Sequence, residues 1–174
     1  MELHLPGRPW FGRTTDWVAA AIAGFAAGAV MMVIEMVWAA STGDFGPWRV
    51  AYLVAALVMG PGILHETVPA FHAGVVAVAL ITHYLLGIVF GLVLGAILAR
   101  LHSAGRGGLM QETIGALFGA ALYLLNFHGL SHLFPWFQEL RGWATFIAHL
   151  VFGISAALLY WKLERSRTGE PRSG

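Results

Sequence analysis

The chain has 174 residues, of which 58% are hydrophobic and only 11% are charged, and its mean hydropathy is +0.72. This composition excludes a soluble domain of ordinary type and predicts a protein of the lipid bilayer. A net charge of +1, without a basic patch interleaved with aromatic residues, argues against a nucleic-acid partner. The absence of cysteine excludes disulfides, thiolate metal sites, iron–sulfur clusters and cysteine nucleophiles.

Four apolar stretches are long enough to cross a bilayer. The first covers 17–40 and would be about 36 Å long as a helix, at ~1.5 Å per residue. The second lies within 70–101, and two more lie within 113–163. A shorter apolar run at about 50–64 predicts a short interfacial or re-entrant helix. The predicted fold is therefore an all-α integral membrane protein with four transmembrane helices.

The distribution of basic residues predicts the topology. With four spans, both termini and the middle loop lie on one side with most of the lysines and arginines, which leaves only Arg49 and Arg141 on the other. The positive-inside rule then predicts a bacterial inner-membrane protein with cytoplasmic N- and C-termini. The predicted parts are a cytoplasmic segment 1–16, a first hairpin 17–101, a cytoplasmic loop 102–112, a second hairpin 113–163 and a cytoplasmic tail 164–174.

The two halves of the chain carry similar residues at matching offsets. The shared pattern is two glycines four residues apart, a polar residue seven further on and, on the next span, a histidine with a glycine four residues later. The first half has Gly24, Gly28, Glu35, His83 and Gly87, and the second half has Gly115, Gly119, Asn126, His149 and Gly153. We therefore predict two pseudo-repeated helical hairpins, related by an axis along the membrane normal.

Two segments are distinctive: AGFAAGAVMMVIEMVW, and above all ALYLLNFHGLSHLFPWFQELRGWATFIAHLVFG, which carries the motifs Asn-Phe-x-Gly, Phe-Pro-Trp-Phe and Ala-His-x-x-Phe-Gly. In these motifs the chain resembles short bacterial inner-membrane proteins of uncharacterised function, often labelled "sodium:proline symporter". True symporters of that name need far more helices than four. The resemblance therefore implies the four-span fold and points to these residues, but it implies no activity.

Four polar residues, Glu35, His83, Asn126 and His149, are predicted to form a cluster in the outer half of the bilayer. A carboxylate at such a depth costs about 2.5–3.5 kcal/mol on insertion scales, so Glu35 should be paired, hydrated or protonated. Asn126 is interpreted as an amide that links helices. The simplest interpretation of the histidines is that both are neutral and hydrogen-bonded to Glu35, Asn126 or a backbone carbonyl.

Two cofactor hypotheses compete with that interpretation. His83 and His149 could hold a b-type haem, with the nearby glycines giving room for the porphyrin, or could join Glu35 in a copper, zinc or iron site. The glycine rows could instead let two backbones touch, which would close that space. His128 and His132 in the outer loop are candidates for copper capture, and solvated loop histidines are the competing interpretation.

The favoured function is an accessory, non-catalytic subunit of a membrane redox or respiratory complex, whose polar cluster binds haem or a metal or relays protons. The alternative is a small proton-coupled transporter or channel that acts as a homo-oligomer. An enzyme is the least favoured class, because only His128 and Glu139 are available as an acid–base pair at headgroup depth. The predicted partners are the bilayer and either other membrane subunits or further copies of the chain.

Overall fold

A computed structural model describes residues 14–42, 46–65, 68–101 and 108–168. These residues form helices and contain no strand. The α-helices are α1 (Trp17–Thr42), α2 (Arg49–Met59), α3 (Ala73–Arg100), α4 (Gly108–Leu124) and α5 (Trp143–Thr168). The helical stretches long and apolar enough to cross a membrane are Trp17–Thr42, Ala73–Arg100, Gly108–His132 and Trp143–Ser166. The predicted all-α architecture is confirmed, as is the number of helices that could span a membrane.

Short helical segments connect the long helices. Gly60, with a φ of 83°, ends α2 and is followed by a 3-10 turn, Pro61–Ile63. The α4 helix continues through a π-helical turn, Leu125–Gly129, and a 3-10 turn, Leu130–His132. A second 3-10 segment, Pro135–Leu140, then leads to α5. A short helix was predicted at 50–64, and its location relative to the membrane stays a prediction.

Two helix boundaries differ from the predicted parts. The α4 helix begins at Gly108, inside the predicted loop 102–112, and α5 continues to Thr168, beyond the predicted end of the second hairpin at 163. Loop composition does not end a helix when adjacent residues can complete the backbone hydrogen bonds of a further turn. Most of the predicted segment 1–16 and the end of the tail 164–174 lie outside the described residues.

The spanning helices pack side by side in the order α3, α1, α5, α4. The α1–α3 contact holds the first hairpin together, and the α4–α5 contact holds the second. A contact between α1 and α5, about as extensive as that between α1 and α3, joins the two hairpins. The α3–α4 contact, which would correspond to it under a two-fold axis, is small. The hairpins are thus internally similar but do not meet in an equivalent way, and the pseudo-repeat stays a prediction.

Glycines form the contact surface within each hairpin. A Cβ atom added to Gly91 would lie 2.5 Å from the Cα of Gly24, and one added to Gly115 would collide with the carbonyl oxygen of Gly153. Because the obstructing atoms are backbone, the helices could not approach this closely with larger residues. The glycines of the repeated pattern therefore set the spacing of α1 from α3 and of α4 from α5.

The bundle has two unlike halves. We call the end where α1 and α5 carry the chain termini the terminal end, and the opposite end, which carries α2, the α2 end. A core of small and large apolar side chains fills the terminal half: Ala19, Ala20, Ala23, Leu94, Leu98, Ala156, Ala157 and Tyr160. The α2 half contains cavities instead. Any site for a ligand or an ion is therefore expected at the α2 end.

Candidate functional site

One cavity, which we call the vestibule, has a volume of about 420 Å³. It lies between the end of α1, the start of α2, the segment Pro135–Leu140 and the start of α5. Polar and charged side chains line it together with apolar ones. The polar and charged residues are Glu35, Thr42, Arg49, Glu139, Arg141 and Thr145.

A second cavity, the inner cavity, has a volume of about 340 Å³. All four members of the predicted polar cluster line it: Glu35, His83, Asn126 and His149. Most of the remaining wall is apolar and includes the phenylalanines Phe90, Phe127, Phe134, Phe137 and Phe152. Apolar walls with a few convergent polar groups, in a volume of roughly 300–1,000 Å³, are typical of small-molecule sites.

A third, smaller cavity of about 100 Å³, the side cavity, lies between α1, α2 and α3. It is lined by Glu35, His83 and apolar residues that include Met36 and Leu80, both exposed on the outside of the bundle. Glu35 and Val50 are common to the linings of all three cavities. Glu35 therefore lies where the vestibule, the inner cavity and the side cavity meet.

The carboxyl group of Glu35 forms no hydrogen bond or ion pair with any residue that the structure describes. The side chain is half-buried and belongs to a helix that is long enough to cross a membrane. An ionisable group at such a position is costly unless water, a proton or a ligand compensates its charge. The arrangement leaves this carboxyl group free to exchange a proton or to bind a ligand.

His149 is buried, and both of its ring nitrogens have partners. Its Nδ1 lies 2.8 Å from the carbonyl oxygen of Thr145, one helical turn earlier. Because a carbonyl oxygen only accepts, Nδ1 donates this hydrogen bond. Its Nε2 lies 3.4 Å from Nδ2 of Asn126 and therefore accepts a long hydrogen bond from that amide. The predicted role of Asn126 as an interhelical link, here between α4 and α5, agrees with this contact.

His83 pairs with the backbone of α1. Its Nε2 lies 2.9 Å from the carbonyl oxygen of Gly28 and must donate to it, so Nδ1 is the nitrogen that stays able to accept a proton. A Cβ atom added to Gly28 would lie 3.7 Å from this Nε2 atom, at ordinary van der Waals distance. Each histidine thus donates from one ring nitrogen to a backbone carbonyl, which fixes the tautomer of the neutral imidazole.

The two histidines do not fit the predicted haem. An axial imidazole usually binds iron through one nitrogen while the other donates to a carbonyl or a carboxylate. His149 has such a donor at Nδ1, but the Nε2 atom of His83 is engaged by Gly28. A pair of Nε2 ligands would require His83 to release that carbonyl.

The glycines also do not provide the room that the haem hypothesis requires. Gly87 packs against Gly24, and a Cβ atom on Gly153 would collide with the carbonyl oxygen of Gly115. The space beside these two glycines is therefore occupied by the neighbouring helix. Of the two uses that the sequence left open for these glycines, close helix packing is the one present.

The predicted metal site receives no support either. Within the described ranges, no group of three or more histidine, aspartate or glutamate side chains is placed to hold a metal ion. Glu35, His83 and His149 line one cavity without forming such a group. Their common location instead gives one carboxyl group and two imidazoles access to the same cavity.

The outer-loop histidines lie apart from the three cavities. His128, in the π-helical turn, is exposed and places its ring against Tyr123 at a centroid distance of 5.9 Å. His132 ends the following 3-10 turn and is also exposed. Neither lines the vestibule, the inner cavity or the side cavity. Copper capture by this pair receives no support from the geometry.

An ion pair that the sequence analysis missed forms one wall of the vestibule. The guanidinium of buried Arg49 contacts both carboxylate oxygens of Glu139, with its NH2 nitrogen 3.0 Å from Oε1 and 2.8 Å from Oε2. The indole nitrogen of Trp136 also donates to the carbonyl oxygen of Leu53 at 3.2 Å. These contacts fasten α2 to the segment Pro135–Leu140. Glu139, considered above as half of an acid–base pair, is held by Arg49.

Arg141 organises the turn that carries Asn126. Its Nε donates to the carbonyl oxygen of Phe127 at 2.6 Å, and its NH2 group donates to Oγ of buried Ser131 at 2.9 Å. Carbonyl groups in a π-helical turn lack regular α-helical partners, and this guanidinium supplies one. The π-helical turn, a feature often found at functional sites, had no recognisable signal in the sequence.

Comparisons with protein-family models, with curated proteins and with solved structures found no match to this chain. The resemblance to the short inner-membrane proteins stays an expectation, and the function has to be inferred from the cavities and the residues that line them.

Proposed function

We propose that the protein is a small proton-coupled membrane transporter in which Glu35 carries the proton. One observation supports this most strongly: the carboxyl group of Glu35 has no partner among the described residues and lies where the vestibule, the inner cavity and the side cavity meet. Ionisable groups inside membrane helices are rare and commonly mark ion or proton pathways.

The contrast between the two halves of the bundle supports transport over a purely structural role. The α2 half contains adjacent cavities that share lining residues, whereas the terminal half is filled by the alanine-rich core. Leu122 and Phe152 belong both to this core and to the wall of the inner cavity. A solute could therefore enter from the α2 end and stop at the core, as expected for a carrier closed towards one side.

The paired histidines can take part in proton transfer. His83 keeps Nδ1 as a proton acceptor while Nε2 donates to Gly28. At His149 a proton on Nε2 would require the Asn126 amide to rotate, so that its oxygen rather than its nitrogen faces the ring. Protonation of His149 would thus change a contact between α4 and α5. In this way proton binding would be linked to helix movement.

The second candidate is the accessory subunit of a membrane redox complex. In this candidate a proton would enter through Glu35, stop at the core and pass to a partner protein. The closed core is the one feature of the geometry that favours it. Its haem and metal components are not favoured, for the reasons given above. We also propose the predicted membrane location, with the α2 end facing outwards and the doubled hairpin as the repeating unit.

Proteoliposomes test the proposal. With a pH gradient imposed across the membrane, the wild-type protein should admit protons faster than empty liposomes do, as reported by a trapped pH dye. Glu35→Gln should reduce this entry to the level of empty liposomes, because the amide has nearly the same shape but cannot carry the proton.

Glu112→Gln is the matched control, since Glu112 is an exposed carboxylate at the start of α4 and lines none of the three cavities. It should leave proton entry unchanged. Equal entry through wild type and Glu35→Gln would refute the role of Glu35. Wild-type entry no faster than that of empty liposomes would refute transport by this chain alone and favour the accessory subunit.

A further inference from the structure

The inner cavity has a specific chemical character. Five phenylalanines contribute to its wall, and Glu35 is the only carboxyl group among the described residues that line it. Neither lysine nor arginine occurs in its described lining. When Glu35 is ionised, the cavity therefore combines one negative charge with several aromatic side chains, whose rings can attract a cation placed over them.

The hydrogen-bonding groups of this cavity are mainly acceptors. His83 and His149 each direct their N–H group to a backbone carbonyl, of Gly28 and Thr145 respectively, so Nδ1 of His83 stays an acceptor while Nε2 of His149 already accepts from Asn126. The ionised carboxylate of Glu35 also only accepts. The amide of Asn126 is the one donor among these groups. A ligand that donates hydrogen bonds or carries positive charge fits this set better than an anion or a carbonyl compound.

The side cavity gives such a ligand an apolar entrance. It contacts Glu35 and His83 on the inside, and its wall includes Met36 and Leu80, both exposed on the outside of the bundle. In the bilayer these two side chains would face lipid. A molecule dissolved in the membrane could reach Glu35 through this opening without passing the arginines of the vestibule.

We propose that the inner cavity binds a lipophilic cation, with its charged group beside Glu35 and its apolar body among the phenylalanine rings. This inference rests on the proposed function, because it assigns the substrate class to the same carboxyl group. A proton and the cation then compete for Glu35, and binding of one releases the other. Such exchange would couple movement of the cation to movement of a proton.

The expected pH dependence follows from that competition. Lowering the pH protonates Glu35, removes its negative charge and weakens binding of a cation whose own charge is fixed. The other titratable or charged groups that line the cavities containing Glu35 are His83, His149, Arg49, Glu139 and Arg141. Arg49 and Glu139 neutralise each other, whereas protonated histidines would repel the cation. Any pH dependence of cation binding that remains in Glu35→Gln is due to protonation of the histidines.

Benzyltrimethylammonium is a suitable probe, because its charge is independent of pH. Isothermal titration calorimetry in lipid nanodiscs, with empty nanodiscs subtracted, should show binding to the wild-type protein. Binding should weaken at least tenfold in Glu35→Gln, survive in Glu35→Asp and match the wild type in Glu112→Gln. Titrations in two buffers of different ionisation enthalpy should show that protons are released when the cation binds. Neopentylbenzene, the neutral analogue of the same shape, should release none.

Two results would overturn the inference. One is the absence of cation binding to the wild-type protein. The other is equal binding to wild type and Glu35→Gln when both proteins elute as the same folded species. Failure here is distinguishable from failure of the proposed function. If the cation does not bind while proton entry into liposomes still requires Glu35, only the substrate class is wrong. If it binds while the wild-type protein admits no protons, even into liposomes loaded with the cation, the chain is a cation-binding membrane protein and not a transporter.

Discussion

The Nε2 atom of His149 accepts a hydrogen bond from the side-chain amide of Asn126 across the α4–α5 contact, at 3.4 Å. The direction of this bond follows from the other side of the ring, where Nδ1 donates to the carbonyl oxygen of Thr145 at 2.8 Å. The pair therefore defines one neutral tautomer of a buried histidine. It also identifies the nitrogen that would receive a proton from the inner cavity.

Replacement of Asn126 by aspartate tests this tautomer. A carboxylate can only accept hydrogen bonds, so His149 in Asn126→Asp should carry a proton on Nε2 as well as on Nδ1. Nitrogen NMR of histidine-labelled protein should show an unprotonated Nε2 in the wild type and a protonated one in the variant at neutral pH. His83, which donates to Gly28, serves as the internal control and should not change. A wild-type His149 with its only proton on Nε2 would contradict the assignment.

Substitution of Gly119 tests the close contact of α4 with α5. A Cβ atom at this position would collide with the carbonyl oxygen of His149 and lie 3.0 Å from the Cα of Leu150. Since both are backbone atoms, Gly119→Ala should destabilise the protein by about 1–3 kcal/mol, measured by unfolding in mixed micelles.

Gly108→Ala is the matched substitution on the same helix, because its Cβ atom would meet only Trp161, at 3.9 Å. The added methyl group should be neutral or stabilising there, by up to about 1 kcal/mol, through the higher helix propensity of alanine. Equal destabilisation by the two substitutions would show that the α4–α5 spacing is not set by Gly119.

The ion pair between Arg49 and Glu139 should contribute measurable stability. Hydrogen bonds to charged groups contribute about 1.5–3 kcal/mol. The Glu139 side chain is 39% exposed, however, so solvent should reduce the coupling to about 1 kcal/mol. A double-mutant cycle with Arg49→Met and Glu139→Gln measures this coupling directly. Glu112→Gln, at an exposed site, should change stability by less than about 0.5 kcal/mol. A coupling energy of zero would show that the contact does not fasten α2.

The haem hypothesis has a simple optical test. Because the Nε2 atom of His83 is engaged by Gly28 and the glycines beside both histidines pack against neighbouring helices, we expect no Soret band from the purified protein. A Soret band that disappears in His83→Ala or His149→Ala would contradict this expectation and restore the haem assignment.

Much of the architecture could be predicted from the sequence, since the length and hydropathy of an apolar stretch determine whether it can span a bilayer. The polar cluster was also predictable in part. Glu35 and Asn126 follow equivalent glycines on α1 and α4, and His83 and His149 precede equivalent glycines on α3 and α5. Residues at similar depths on adjacent spans can line a common cavity, and these four do.

Other features could not be predicted, because they depend on contacts between distant parts of the chain. Arg49 and Glu139 are 90 residues apart and belong to short segments whose relative location no periodicity specifies. Gly87 and Gly153 could make room either for a cofactor or for a neighbouring backbone, and a row of glycines is compatible with both. Which of the two occurs depends on which helix lies beside them. The π-helical turn at Leu125–Gly129 depends on the guanidinium of Arg141, which arrives from beyond the next segment.

The protonation of Glu35 can be measured directly by infrared difference spectroscopy of the protein in nanodiscs, while the pH is raised in steps. The account predicts a carbonyl band of a protonated carboxyl group that disappears reversibly as the pH rises. That band should be missing in Glu35→Gln and unchanged in Glu112→Gln. If wild type and Glu35→Gln gave the same pH-dependent carboxyl spectrum, Glu35 would not exchange protons with the cavities, and the central claim would be wrong.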